Sequence, residues 1–171
     1  PVQIRAPGSA LAIRSAIQNS GLDPSRMILE VTESLFLEDE GGTRAFIDEL
    51  ANEGVRFALD DFGTGYSSLS YIDRYPFSKI KVDRSFVSGK DVGRKSEAII
   101  HAVAELGKQL GMEIVAEGLE TAEQVAAVRA AGCTLGQGWH FSKAVPDYVA
   151  AMLLAEEEAR LQPGLADRAA G

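Results

Sequence analysis

Asp60 and Asp61 stand side by side where the apolar run of residues 57–59 gives way to a loop carrying Gly63 and Gly65. Two carboxylates at such an exit, one directed inward and one at the rim, could bridge and flank a pair of divalent cations. The simpler alternative has one aspartate capping the turn and the other solvated. Glu30 and Glu33 leave a second apolar run. A carboxylate facing a protein interior is costly unless it is ion-paired or bound to metal, so Glu30 reads as either a salt-bridge partner or a ligand. Lys81 lies between Ile80 and Val82 and shares a strand face with Lys79 and Asp83. There it either neutralises nearby carboxylates or orients a water and a phosphate oxygen. Glu117 closes a third apolar run just before Gly118, with Glu120 following; Glu120 or Thr121 can equally begin a helix. Gln137, between Gly136 and Gly138, offers an amide that reaches a ligand or simply makes a turn.

Oxygen donors dominate this set, which favours Mg²⁺ or Mn²⁺. The two histidines, His101 and His140, are far apart in the chain and Cys133 is the single cysteine, so no zinc site of His and Cys is readable. Cys133 sits in an apolar stretch, which suits a buried core thiol in a reducing cytoplasm. There is no Gly-x-Ser-x-Gly elbow. Asp61-Phe62-Gly63 matches the kinase magnesium motif, but the His-Arg-Asp loop and the glycine-rich phosphate loop of that fold are missing.

The elements that must position these groups follow from hydrophobic period and stop signals. Residues 9–20 place Ala10, Leu11, Ile13, Ala16 and Ile17 on one helical face, with Ser9 as N-cap and Gly21 as stop. Residues 27–33 alternate at the period of a strand. Further helices are expected over 42–52, 68–74, 95–110, 121–131 and 146–161, and further strands over 55–60, 78–82, 112–117 and 133–136. Strands alternating with helices mean βαβ units and a parallel sheet. A barrel and an open doubly wound sheet both satisfy that order. Glu30, Asp60, Asp61, Asp83 and Glu117 fall at or near the C-terminal ends of different strands, which is the mark of a (β/α)₈ TIM-type barrel rather than of a single crevice. Such a barrel needs about 250 residues, so its N-terminal strands are expected to lie outside this chain apart from a stub at residues 1–5. Residues 1–161 then form a partial barrel and residues 162–171 a disordered tail.

The 171 residues are 46% hydrophobic and 25% charged, a composition that builds one core, and the formal net charge of -8 excludes an electrostatic grip on nucleic acid polymer or on an anionic membrane surface. No stretch reaches the roughly 18 apolar residues of a membrane span, and the first residues given lack the basic and then apolar pattern expected of a signal peptide. A cytoplasmic location is expected, with the parent protein free to carry a membrane anchor elsewhere.

Taken in order, Glu30-Val-Thr-Glu33, Asp60-Asp61-Phe-Gly-Thr-Gly-Tyr-Ser-Ser-Leu, Lys81-Val-Asp83-Arg-Ser-Phe, Ala-Glu117-Gly-Leu-Glu120-Thr and Gln137-Gly resemble the successive motifs of the EAL family over about residues 1–146. The resemblance implies a phosphodiesterase that hydrolyses cyclic di-GMP to linear pGpG with two Mg²⁺ or Mn²⁺ ions. It implies metal ligation by Glu30, Asp60, Asp61 and Glu117, with Asp60 bridging. Lys81 and Glu117 would be the catalytic pair that positions and deprotonates the attacking water. Glu33 would brace the loop after Asp61, and Asp83, Glu120 and Gln137 would support loop and substrate. A homodimer and upstream sensory or GGDEF-type domains are the implied partners.

Two departures stand out. Ala144 occupies a position where the family often has proline. The Glu-Ala-Leu strand and an Asn that the family carries before the position of Pro1 are not in this chain, and they supply two further ligands. The chain by itself is therefore expected to be poorly active and prone to associate. The alternative function is a cyclic di-GMP receptor or interaction module of degenerate EAL type that binds without cleaving.

Overall fold

The computed structural model describes residues 6, 8–38, 40–63, 70–88 and 94–161. The expected stub at 1–5, most of the glycine loop at 64–69 and the tail at 162–171 lie outside them. Among the described residues five parallel strands run in the order β1 to β5: β1 Ile28–Thr32, β2 Arg56–Phe62, β3 Phe77–Val82, β4 Glu113–Ala116 and β5 Leu135–Gly136. Each strand pairs with the next in sequence and the order never reverses. An open doubly wound sheet has a switch point where it does; a barrel wall does not.

Helix α1 Ser9–Ser20 precedes β1, and between the strands lie α2 Leu35–Glu38, α3 Glu40–Ala51, α4 Ser70–Arg74, α5 Arg94–Leu110 and α6 Ala122–Ala130. The α1 bounds agree with the periodicity, although Gly8 rather than Ser9 occupies the N-cap, in a left-handed conformation and without a side-chain bond. Helix α2 is a single turn that hydrophobic period did not mark. The chain divides into two compact units, residues 1–140 and 141–171, and the second holds α7, Asp147–Leu161. No described helix is long and apolar enough to cross a membrane.

The strands' alternation sorts their side chains into two faces. Val31, Leu59, Ile80 and Ile114 stand in one register row and all belong to the buried hydrophobic cluster with Ile47, Leu50 and Val103 of the helices. Helix α5 supplies its share at helical spacing through Ile100, Val103, Ala104 and Gly107. At Gly107 a β-carbon would run into the Ile114 side chain, so glycine lets helix and strand close up. The opposite face carries charge: Lys79 pairs with its register partner Glu113 at 2.7 Å, and one pleat further on comes Lys81.

Two local devices shape the strand exits. β2 was expected to end at Asp60 but runs through Asp61 to Phe62, with a register irregularity between Leu59 and Phe62 and a left-handed Asp61 at φ 55°. This is a bulge, which re-aims side chains. β5 is shorter than expected at its start. There the Thr134 hydroxyl accepts from the Ile114 N–H at 3.1 Å and donates to the Ile114 carbonyl at 3.3 Å, beside the backbone bond from the Thr134 N–H to the same carbonyl at 3.1 Å.

Candidate active site

The bulge explains how two neighbouring carboxylates reach one place. In a regular strand, successive side chains point to opposite faces. With Asp61 in the left-handed region, its carboxylate comes round to the side of Asp60, and oxygens of Asp60, Asp61 and Glu117 lie within 4.8 Å of one another. The Asp60 Oδ1 also accepts the Asp61 N–H at 3.0 Å, which fixes the kink.

Lys81 enters this group from β3. Its Nζ donates to Glu117 Oε1 at 2.7 Å, to Glu30 Oε2 at 2.8 Å and to Asp60 Oδ1 at 3.0 Å, using all three ammonium donors. The Lys81 side chain is 7% exposed while that of Glu30 is 49% exposed, so the ammonium is buried and Glu30 sits at the solvent side. Burial alone pushes the lysine down, but the bonds to Glu117, Glu30 and Asp60 outweigh it and hold Lys81 above the ordinary lysine value. It is a fixed cation, not a base.

Glu117 and Asp61 are also shifted upward, which in a carboxylate favours the neutral form. Burial lifts Glu117 above the ordinary glutamate value despite the opposing bond from Lys81. Burial, together with the like charges of Asp60 and Asp83, lifts Asp61. Burial is the larger cause of both shifts, and the neighbouring carboxylates add to it. The donor set is all oxygen, clustered and under-compensated, and it fits a hard divalent cation such as Mg²⁺ or Mn²⁺. Asp60, Asp61 and Glu117 would hold it, and Glu30 reaches the cluster through Lys81.

The remaining expected residues are not in that cluster. Glu33 is 5% exposed with its Oε2 unpartnered among the described residues, an orientation that leaves a buried acceptor for another group. Asp83 caps the 3₁₀ turn Arg84–Phe86 by accepting the Ser85 N–H at 2.9 Å, which lowers its pKa against burial. Glu120 is exposed and its N–H bonds Gln124 Oε1 at 2.7 Å. Gln137 is exposed, and its backbone bridges Ala116 and Leu119.

The structure also reveals a buttress that sequence reasoning passed over. The Arg84–Phe86 turn presses on two strand exits at once: a β-carbon at Gly63 would stand 2.7 Å from the Phe86 ring, and one at Gly118 would overlap Arg84. Ser88 Oγ donates to the Gly118 carbonyl at 3.0 Å, and Gln124 Nε2 reaches Ser88 Oγ at 3.0 Å. Gln124 is the N3 residue of a capping box closed by Thr121, so one side chain starts α6 and ties it to the turn. The Thr-x-x-Gln spacing was the available signal.

The family model described as EAL domain matches residues 1–144. The bifunctional diguanylate cyclase/cyclic di-GMP phosphodiesterase MucR of Pseudomonas aeruginosa is 38% identical over 145 residues, covering 85% of this chain and 21% of that protein. A solved PaMucR phosphodiesterase in complex with c-di-GMP aligns with TM-score 0.81 at 37% identity, covering 87% of this chain and 60% of that one. A manganese/cy-diGMP complex of Klebsiella pneumoniae BlrP1 aligns with TM-score 0.75 at 33% identity, over 81% of this chain and 36% of that one. The chain spans about a fifth of the length of the curated relatives it matches. Sequence, sheet order and strand-end carboxylates agree with these matches: the α/β fold is of the TIM-barrel type, and the chain belongs to the EAL domain family.

Proposed function

We propose that this chain is the catalytic portion of a cytoplasmic phosphodiesterase that hydrolyses cyclic di-GMP to linear pGpG. The observation that carries this reading is the Lys81 ammonium bonded to Glu30, Asp60 and Glu117 beside the Asp60–Asp61–Glu117 oxygen cluster. That is an arrangement for a polyanionic substrate only if cations complete it. Two bound Mg²⁺ or Mn²⁺ ions would supply Lewis-acid stabilisation of the phosphate and of both reacting oxygens.

The chain's own groups divide the remaining work. Glu117, which burial lifts above the ordinary glutamate value, accepts the proton of the attacking water. Lys81 stays protonated and holds Glu117, while directing positive charge at the oxygens that gain charge as the water oxygen bonds to phosphorus and the P–O3′ bond breaks. The released 3′ oxygen takes a proton from solvent. Glu33, whose buried Oε2 has no partner among the described residues, would brace the loop that follows Asp61; Asp83 caps the turn whose Phe86 packs against Gly63, and Glu120 and Gln137 would line the substrate side. The whole protein would add a homodimer contact and regulatory domains of sensory or GGDEF type, in keeping with the roughly fivefold greater length of the relatives.

The test is nucleotide separation after incubating cyclic di-GMP with the parent protein and Mg²⁺ or Mn²⁺. Linear pGpG is the expected product. Binding without any product under either ion would replace the enzyme with a receptor.

A further inference from the structure

Given the two-ion reading above, we propose that Lys81 and a divalent cation compete for the carboxylate of Asp60, so that Lys81 sets the affinity of the site for its ions. The reasoning is an account of lone pairs. Each carboxylate oxygen offers about two acceptor positions. Asp60 Oδ1 gives one to the Asp61 N–H at 3.0 Å and one to Lys81 Nζ at 3.0 Å. If Asp60 is to serve two ions through both of its oxygens, Oδ1 must give up one of these two partners. The Asp61 amide is part of the bulge and cannot leave without straightening β2, so Lys81 is the partner that yields. Glu117 Oε1 meets the same ammonium at 2.7 Å, which gives the competition a second contested carboxylate.

The lysine has somewhere to go. Glu30 Oε2, at 2.8 Å and on the solvent side of the group, stays available as its partner when Asp60 is given up. Lys81 is thus a positioning residue for the ions as well as a group facing the substrate. The arrangement trades ion affinity for charge at the reacting phosphate. A monovalent and a divalent cation a few ångströms apart repel by on the order of tenfold in an equilibrium constant even at the dielectric constant of water.

Lys81→Met keeps the length and apolar stem of the side chain and removes the charge. Titration of the 171-residue chain with Mn²⁺, followed by the electron paramagnetic resonance of the free ion, should give a half-saturating concentration at least tenfold lower in Lys81→Met than in the unaltered chain. Lys81→Arg should not tighten binding, and turnover of cyclic di-GMP by the parent protein should fall in Lys81→Met. A lysine that merely held the strands together would loosen ion binding when removed. Unchanged or weaker Mn²⁺ binding in Lys81→Met, with normal saturation of the unaltered chain, overturns the competition and leaves the metal reading standing. Absence of Mn²⁺ binding in both overturns both. Should Lys81→Met fail to fold, nitrogen-15 resonances of the lysine ammonium groups in the unaltered chain decide. The Lys81 signal should lose its protection from hydrogen exchange as Mg²⁺ saturates, and full protection at saturation refutes the proposal.

Discussion

Gly118→Ala should destabilise the chain by much more than Gly111→Ala, and the comparison isolates the buttress under Glu117. The two glycines share a backbone conformation, φ 68° at Gly118 and φ 69° at Gly111. An L-residue in that region loses roughly 1–2 kcal/mol, so both alanines carry that strain. A β-carbon at Gly111 meets nothing within 4 Å, whereas at Gly118 it overlaps the β-carbon of Arg84 and approaches the Arg84 α-carbon at 3.4 Å. These are atoms next to the backbone and cannot swing away, so overpacking adds about 1–3 kcal/mol. The expected losses are then about 1–2 kcal/mol for Gly111→Ala and about 2–5 kcal/mol for Gly118→Ala. The second is a large part of the 5–15 kcal/mol that holds a typical domain. Urea unfolding followed by circular dichroism measures both. Adding Arg84→Gly to Gly118→Ala should recover the overpacking part and leave the strain. Equal losses for the two alanines would refute the claim that the Arg84–Phe86 turn props the exit of β4, and with it the route by which that turn places Glu117.

Asp61→Asn should raise the Tm of the chain at neutral pH in a chelator and abolish the stabilisation that Mn²⁺ provides. The Asp61 carboxyl is held above its ordinary 3.8 by burial and by Asp60 and Asp83, so the stability linked to it is present below that value and is lost as pH rises through the higher folded value. Asparagine also suits φ 55°; a fall in Tm in chelator would contradict this. Cys133, half-buried and pushed up to about 11 by burial, should react with a thiol reagent at pH 8 on the order of a hundredfold more slowly in the folded chain than in urea. Equal rates would place it at the surface.

Much of this architecture was legible because periodicity and punctuation agree. Gly21 and Gly111 stop their helices where the sequence says, and the C-terminal carboxylates of β1, β2 and β4 fall where the apolar runs end. The bulge at Asp60 and Asp61 was not legible. It is set by the register of β2 against β3, a relation between residues twenty apart that no local window contains. The same holds for Gly63 and Gly118, whose need for glycine arises from Phe86 and Arg84 on another strand's exit. The single-turn α2 is too short for a periodic signal, and the role of Glu33 turns on residues 64–69, outside the described structure.

The sequence leaves open whether Lys81 neutralises carboxylates or serves chemistry, and the two faces of the sheet give a physical argument for the proposed role. On the helix side the register row of Val31, Leu59, Ile80 and Ile114 is wholly apolar, which is what burial rewards when packing is the only demand. One residue later the same strands place Lys81 among Glu30, Asp60 and Glu117. Replacing a buried ionic group with well-packed apolar side chains is often neutral or stabilising, so stability gives no reason to keep it. Nor is the charge balanced: with Asp61 added, four carboxylates share one ammonium. A group built only to neutralise would match its charges. The excess is what a site needs if cations are to enter it, and Lys81, by occupying part of Asp60 and Glu117, limits how tightly they are then held.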